Sequence, residues 1–476
     1  MPGAHERLTK IGTAISGGVP DTALVSGRYA AGLSLAVLAV ATPVATGTVP
    51  EDWIVAYLLG AGVAVVLLGR QSRKGDARVA RGLLLALGVF GLSMAGVDAV
   101  ARPLLTPILY DRPHDRYFVK LPMLPLLYRY QPNVSVGWRG YGDLAALAGD
   151  GAAREYRHIR FVTDEFGFVN EPSKGEAGQG PLDLIVLGDS FGAGSGTTQE
   201  ATWVPLLAGR HRLRVYNLSM PGSPWHEFMN LVVEGGRLPT RAGTVVVWAL
   251  VPSNDLDDYY YAGDLNDLPW EDTLGALAVR FRMFRDHSPV RQVLQRLGHA
   301  RQRPIVITRR LPDGRPLLFH ADYAQRRSRT EREILAHPKF QAFHVIFRSL
   351  VDLARARGFS LAVVVVPSKE EIYGWALDGG SPWSTRPSPG AFTAVLRHLA
   401  AGAGLPFLDL EPDLRAAARA SFEASGELLW WRDDTHWNER GHGVVARLVF
   451  ERLLAPLVGG QAGEAGEAER RSRRTR

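Results

Sequence analysis

The sequence predicts an α/β fold: a parallel sheet of about five strands with helices on both faces, preceded by three transmembrane helices. Three observations carry this. From Leu182 onward, short apolar runs alternate with segments of helical period. Those runs are rich in Val, Leu and Ile without alternation, as strands buried on both faces require. Ahead of them stand three long apolar stretches separated by charged turns.

The apolar stretches cover about residues 29–49, 53–69 and 82–101, each near the ~20 residues that cross hydrocarbon as a helix. The N-terminus (Arg7, Lys10, Arg28) and the 70–81 loop are basic, while Glu51-Asp52 is acidic. The positive-inside rule then puts the N-terminus in the cytoplasm and everything after Arg102 outside the cytoplasmic (inner) membrane, in a periplasmic or extracellular position. A signal peptide cleaved near Ala41 is the alternative, with an unusually long polar leader against it. The chain of 476 residues carries a formal charge of +7 and no cysteine, which excludes disulfides, thiolate catalysis and Cys-ligated metals. Arg far outnumbers Lys, as codon bias produces, and no basic-aromatic stretch suggests nucleic acid.

Residues 103–181 are expected to form a juxtamembrane collar. Their prolines exclude a long helix, Gln131-Pro132-Asn133 reads as a turn, and residues 161–168 read as strand, turn, strand. The main domain is expected over 182–457, with strands at 182–187, 212–217, 243–250, 359–366 and 405–409. Helices fit 199–209, 224–235, 339–357, 389–401 and 438–455. An insertion over about 256–338 brings Tyr259, Tyr260, Tyr261, Trp270 and several arginines to the edge of the sheet, with a hairpin expected over 314–323. The Gly-, Glu- and Arg-rich tail, 458–476, has the composition of a disordered segment.

Ligands bind parallel sheets at the carboxyl ends of the strands. Four features fall there. Gly188-Asp189-Ser190 follows the first strand and exposes a serine near a helix N-terminus. Gly222 follows the second, Asn254 the third, and Asp433-Asp434-Thr435-His436-Trp437-Asn438 precedes the last helix. Each alone is commonly a turn or cap residue; their order at one edge is what counts. His442 stands six residues from His436, a poor spacing for one helix face, so no metal set and no cofactor is indicated.

Together these four blocks resemble the SGNH/GDSL hydrolase superfamily, in the family's order, over about residues 182–455. The resemblance implies a flavodoxin-like sheet. It implies Ser190 as nucleophile and His436 as base, with an oxyanion hole made by the N–H groups of Ser190 and Gly222 and the Asn254 amide. One such donor is typically worth about 2.7–4 kcal/mol. The acid is Asp433 by the Asp-x-x-His spacing of most members, or Asp434 by the Asp-x-His spacing of glycan-associated ones; Asp433 is preferred, with both named. Val366-Pro367-Ser368-Lys369 with Tyr373 is similar to a segment of alginate-acetyltransferase-like relatives, in which the Asp–His motif can precede the serine; here it follows. Gly188-Asp189-Ser190-Phe191-Gly192 also fits G-x-S-x-G, but an α/β-hydrolase needs several strands before that elbow, and only the Pro-rich 103–181 lie between membrane and serine.

The expected function is a membrane-anchored extracytoplasmic serine esterase acting on an O-acylated surface glycan or similar ester. An O-acyltransferase with a membrane acyl-donor partner, and a non-catalytic glycan-binding or assembly protein, are the alternatives. No nucleic-acid partner is expected.

Overall fold

The sheet forms where the apolar runs stand. In a computed structural model, five strands lie parallel, in the order Phe407–Asp409, Ser360–Val365, Val245–Leu250, Leu184–Gly188 and Val215–Asn217 across the sheet. The structure describes residues 117–121, 124–149, 151–172, 180–256, 305–384 and 390–457. All of these belong to one compact unit made of Tyr110–Asp267 and His299–Arg476. The expected membrane spans, the signal-peptide alternative, the aromatic cluster at 259–270, most of the insertion and the tail lie outside the described residues. Among the described residues, no helix is long and apolar enough to cross a membrane.

Ahead of the sheet come β1 (Phe118–Leu121) and β2 (Leu124–Tyr130), paired antiparallel, and β3 (Ser135–Gly140), paired antiparallel with β4 (Arg157–Val162). Helix α1 (Asp143–Ala148) lies between β3 and β4. The expected second strand after the Phe166-Gly167 turn does not form. Gly167 has φ +82, and the Asp164 carboxylate gathers the N–H groups of Phe166 (2.9 Å) and Phe168 (3.0 Å) into a loop.

The main sheet then builds from β5 (Leu184–Gly188), a four-residue helix α2 (Ser190–Ala193), α3 (Trp203–His211), β6 (Val215–Asn217), α4 (Pro224–Glu234) and β7 (Val245–Leu250). The described part of the insertion holds a hairpin, β8 (Val306–Arg310) and β9 (Pro316–His320), and helices α5 (Ala321–Arg326) and α6 (Glu331–Leu335). The hairpin sits on the N-terminal side of the expected one, because Gly314 at φ +84 makes the turn itself rather than opening a strand. The rest follows as α7 (Phe340–Ala356), β10 (Ser360–Val365), α8 (Lys369–Ile372), α9 (Gly374–Asp378), α10 (Ala391–Ala403), β11 (Phe407–Asp409), α11 (Glu411–Ser425) and α12 (Glu439–Val449).

Alternate residues of each strand feed two cores. Val186, Val247 and Val364 face one layer with Trp203, Leu207, Leu414 and Val445. Ile185, Val246 and Val363 face the other, with Phe343, Phe347, Leu350 and Leu396. Tyr130, Phe161 and Phe168 from the preceding segment join the second core. Strands buried on both faces explain runs without polar alternation. Helix α7 places Phe343, Phe347 and Leu350 on one stripe at helical spacing. Because β6 and β7 flank β5 on opposite sides, the order in which successive strands are laid down reverses at β5. Ser190 therefore emerges at the switch point of the sheet, where the crevice for a ligand opens.

Candidate active site

Ser190 is the first residue of α2, and Asp189 before it caps that helix by accepting the Phe191 N–H at 2.8 Å. The serine N–H is one of the groups a helix start leaves without an intrahelical partner. His436 arrives from the loop between α11 and α12. Its Nε2 lies 2.8 Å from Ser190 Oγ, and its Nδ1 lies 2.7 Å from Asp434 Oδ1. The same carboxylate oxygen accepts the His436 backbone N–H at 3.1 Å. A proton on Nδ1 satisfies the carboxylate and leaves Nε2 free to accept from the serine hydroxyl, the tautomer a general base needs.

The preference for Asp433 is corrected here: Asp434 is the acid that meets His436. Asp433 turns away and accepts the N–H groups of Gly142 (2.9 Å) and Glu155 (2.7 Å), with Arg157 Nη1 at 2.9 Å. Its role is to dock the β3–α1–β4 segment on the histidine loop. Burial pushes its carboxyl upward, and the Arg157 charge opposes that shift.

Asn254 and Gly222 reach the same edge. The Asn254 side-chain amide donates to Asp189 Oδ2 at 2.8 Å, leaving its second N–H available. The loop after β6 folds against the end of β5, with Met220 N–H on Gly188 O at 3.0 Å, and Gly222 lies two residues further along it. A side chain at Gly222 would come within 3.0 Å of His226, whose ring packs 4.7 Å from Tyr128. His226 is thus partly covered at the start of α4, and its Nδ1 accepts the Ser223 N–H at 3.3 Å.

Several more groups hold the histidine loop: Lys369 and Tyr373 stand in a segment that the sequence singled out, whereas Asp143 has no local sequence signature. Lys369, fully buried, donates to three carbonyls of the histidine loop: Asp434 (2.6 Å), Trp431 (3.2 Å) and Arg432 (3.4 Å). Burial lowers the tendency of its amine to hold a proton, and the carboxylates of Glu370, Asp143 and Asp434 oppose this. Tyr373 Oη accepts the Leu429 N–H at 2.9 Å at the other end of the same loop. The segment 366–373 therefore holds the loop that carries His436. Asp143 accepts the Thr435 hydroxyl at 2.6 Å and the Thr435 N–H at 2.8 Å. Asp143, Asp434 and His436 bring carboxylate and imidazole atoms within 4.8 Å of one another, but those atoms already hold Thr435, Arg157 and Ser190. Burial, and after it the nearby Asp189, push Glu227 well above the usual carboxylate range, and its Oε2 accepts the Trp248 indole N–H, which opposes that shift.

His442 is fully buried, and burial pushes it down to about 3. It is neutral and accepts the Trp203 N–H at 3.3 Å, which caps the start of α3. Its place is structural, as the spacing from His436 suggests.

Glu371 gives the shell a pH dependence. Its Oε2 accepts the Ser368 N–H at 2.7 Å and the Ser368 hydroxyl at 3.1 Å, capping the helix that bears Lys369. Burial, with Glu411 and Glu370 adding, raises this carboxyl from 4.5 to about 7. A group raised on folding contributes stability that is complete below its unfolded value and is lost as pH climbs through its folded one. The contribution therefore declines from about pH 4.5 to 7, by roughly 3 kcal/mol. Thermal melts across that window should show Glu371→Gln losing less stability than the parent chain. Parallel curves would exclude Glu371 as the titrating group.

Residues 318–475 match the family model described as ALGX, the SGNH hydrolase-like domain of acetyltransferase AlgX. The chain carries an SGNH hydrolase-like domain. The match takes in Lys369, Tyr373, Asp434 and His436, and the fold adds Ser190, Gly222 and Asn254 from outside it. The chain is thereby assigned to enzymes that hydrolyse or transfer ester-bound acyl groups. No curated protein matches. Among solved structures, one similar chain is the psychrotrophic esterase EstA from Pseudoalteromonas sp., in a structure inhibited by monoethylphosphonate. It is 13% identical with a TM-score of 0.29, over 58% of this chain and 97% of that one.

Proposed function

We propose that the SGNH domain is a serine esterase, anchored in the cytoplasmic membrane with its catalytic domain outside, that removes acyl groups from an O-acylated surface glycan. The observation that carries the chemistry is the continuous chain of contacts Ser190 Oγ–His436 Nε2 and His436 Nδ1–Asp434, at 2.8 and 2.7 Å. Ser190 attacks the ester carbonyl while His436 takes its proton and then delivers it to the leaving alcohol. Asp434 holds the imidazole and stabilises the imidazolium. The Asn254 amide and the N–H groups of Ser190 and Gly222 receive the oxyanion. Water then attacks the acyl-serine, with His436 as base. The apolar runs at 29–49, 53–69 and 82–101 and their charge pattern support the membrane anchor.

Transfer of the acyl group to a sugar hydroxyl is the second reading, favoured by the acetyltransferase description of the matched family. It uses the same intermediate and needs an acyl donor, which a membrane partner would supply. Labelling of the full-length chain by a fluorophosphonate tests the nucleophile. Incubation with an activated acetyl ester and an acceptor glycan then separates the readings: free acetate marks the esterase, acetylated glycan the transferase. A folded chain that takes no label would favour a non-catalytic binding role.

Asn254→Ala should lower kcat by about 10²–10³-fold, the cost of one oxyanion donor. It also removes the donor that Oδ2 of the buried Asp189 meets, while Oδ1 keeps the Phe191 N–H, so a lower melting temperature should accompany the loss. An unchanged kcat with reduced stability would confine Asn254 to a structural role.

A further inference from the structure

We propose that Arg157, from the segment that precedes the SGNH sheet, is a positioning residue for the catalytic acid; this rests on the triad reading above. Arg157 is 8% exposed, and its guanidinium lies 4.4 Å over the Trp431 ring. One arm, Nη2, meets Asp434 Oδ2 at 2.6 Å, and the other, Nη1, meets Asp433 Oδ1 at 2.9 Å. Nη1 also donates to Glu155 O at 2.9 Å, and Nε donates to Gly196 O at 2.8 Å. Gly196 belongs to the loop that follows Ser190, so one planar group ties the nucleophile's loop to the acid's loop.

The geometry divides the work between the oxygens of Asp434. Oδ2 is held by Arg157, and Oδ1 faces Nδ1 and the backbone N–H of His436. With Oδ2 pinned, the carboxylate plane is fixed and Oδ1 stays aimed at the imidazole. A rigid fork suits this task, because a point charge cannot align with two carboxylates and a carbonyl at once. The approach is close: Gly196 has φ +82, and a Cβ there would stand 3.0 Å from Asp434 Oδ2. Arg157 lies 277 residues from Asp434 and outside the matched family region. The preceding segment thus completes the active site.

The test uses the full-length chain with p-nitrophenyl acetate and a fluorophosphonate. Arg157→Lys and Arg157→Ala should each lower kcat by about 10- to 100-fold, the range for groups that orient a directly acting residue, with KM within about threefold. Added methylguanidinium should restore part of the Arg157→Ala turnover, and methylammonium should not. If Arg157→Ala does not fold, a folded Arg157→Lys with lowered kcat and unchanged KM carries the inference. A folded variant with parental kcat, or a loss that methylguanidinium leaves untouched in folded Arg157→Ala, overturns it. Absence of labelling and turnover in the parent chain would instead overturn the triad reading.

Discussion

Asp434→Asn should lower turnover by about 10⁴-fold, the effect of removing the acid that sets the tautomer of a catalytic histidine. An amide at this position can offer its N–H to Nδ1, which moves the imidazole proton to Nε2 and blocks proton removal from Ser190. The neighbouring Asp433→Asn should cost less than about tenfold in turnover, since its oxygen can still accept from Arg157 and the backbone. It should lower the melting temperature instead, because it weakens contacts to Gly142, Glu155 and Arg157 that seat the β3–α1–β4 segment. Kinetics and melting curves on the two purified variants decide the matter. The reverse ranking, with Asp433→Asn the slower enzyme, would overturn the assignment of the acid to Asp434.

Ser190→Ala should be the most severe change, with kcat reduced by about 10⁶-fold and fluorophosphonate labelling abolished. The fold should survive, since the substitution removes one oxygen at a helix start and leaves the Asp189 cap on Phe191 in place. An unaltered melting temperature with complete loss of labelling is therefore the expected pair of results. Labelling that persists in Ser190→Ala would point to a different nucleophile and end the triad assignment.

Much of the sheet was legible because strands buried on both faces need uninterrupted Val, Leu and Ile, and such runs are visible one at a time. The expected strands at 182–187, 243–250 and 359–366 fall within about two residues of β5, β7 and β10. Helix α11 was not anticipated, although Pro412 in its first turn and Gly426 at φ +71 just past its end mark its bounds. Its buried stripe rests on Leu414 and Ala418, too sparse to stand out in an Ala- and Arg-rich stretch. The strand expected after Phe166 failed for a different reason. Side-chain acceptance by Asp164 competes with ladder pairing, and nothing in residues 161–168 reveals which wins.

The sequence by itself determined the alternation of strands and helices, the placement of Ser190, Gly222, Asn254 and His436 after strands or before a helix, and the order of those blocks. These are local properties of pattern and spacing. Tertiary structure alone decided which aspartate serves His436. Both spacings are possible for a short loop, and the choice follows from Arg157 and Lys369. One comes from a strand 277 residues earlier and the other from a helix 65 residues earlier. The loop conformation is set by the donors that surround it: a fork that fixes two carboxylates and a buried ammonium that gathers three carbonyls. Donors so distant in the chain leave no mark on the spacing of the motif they shape.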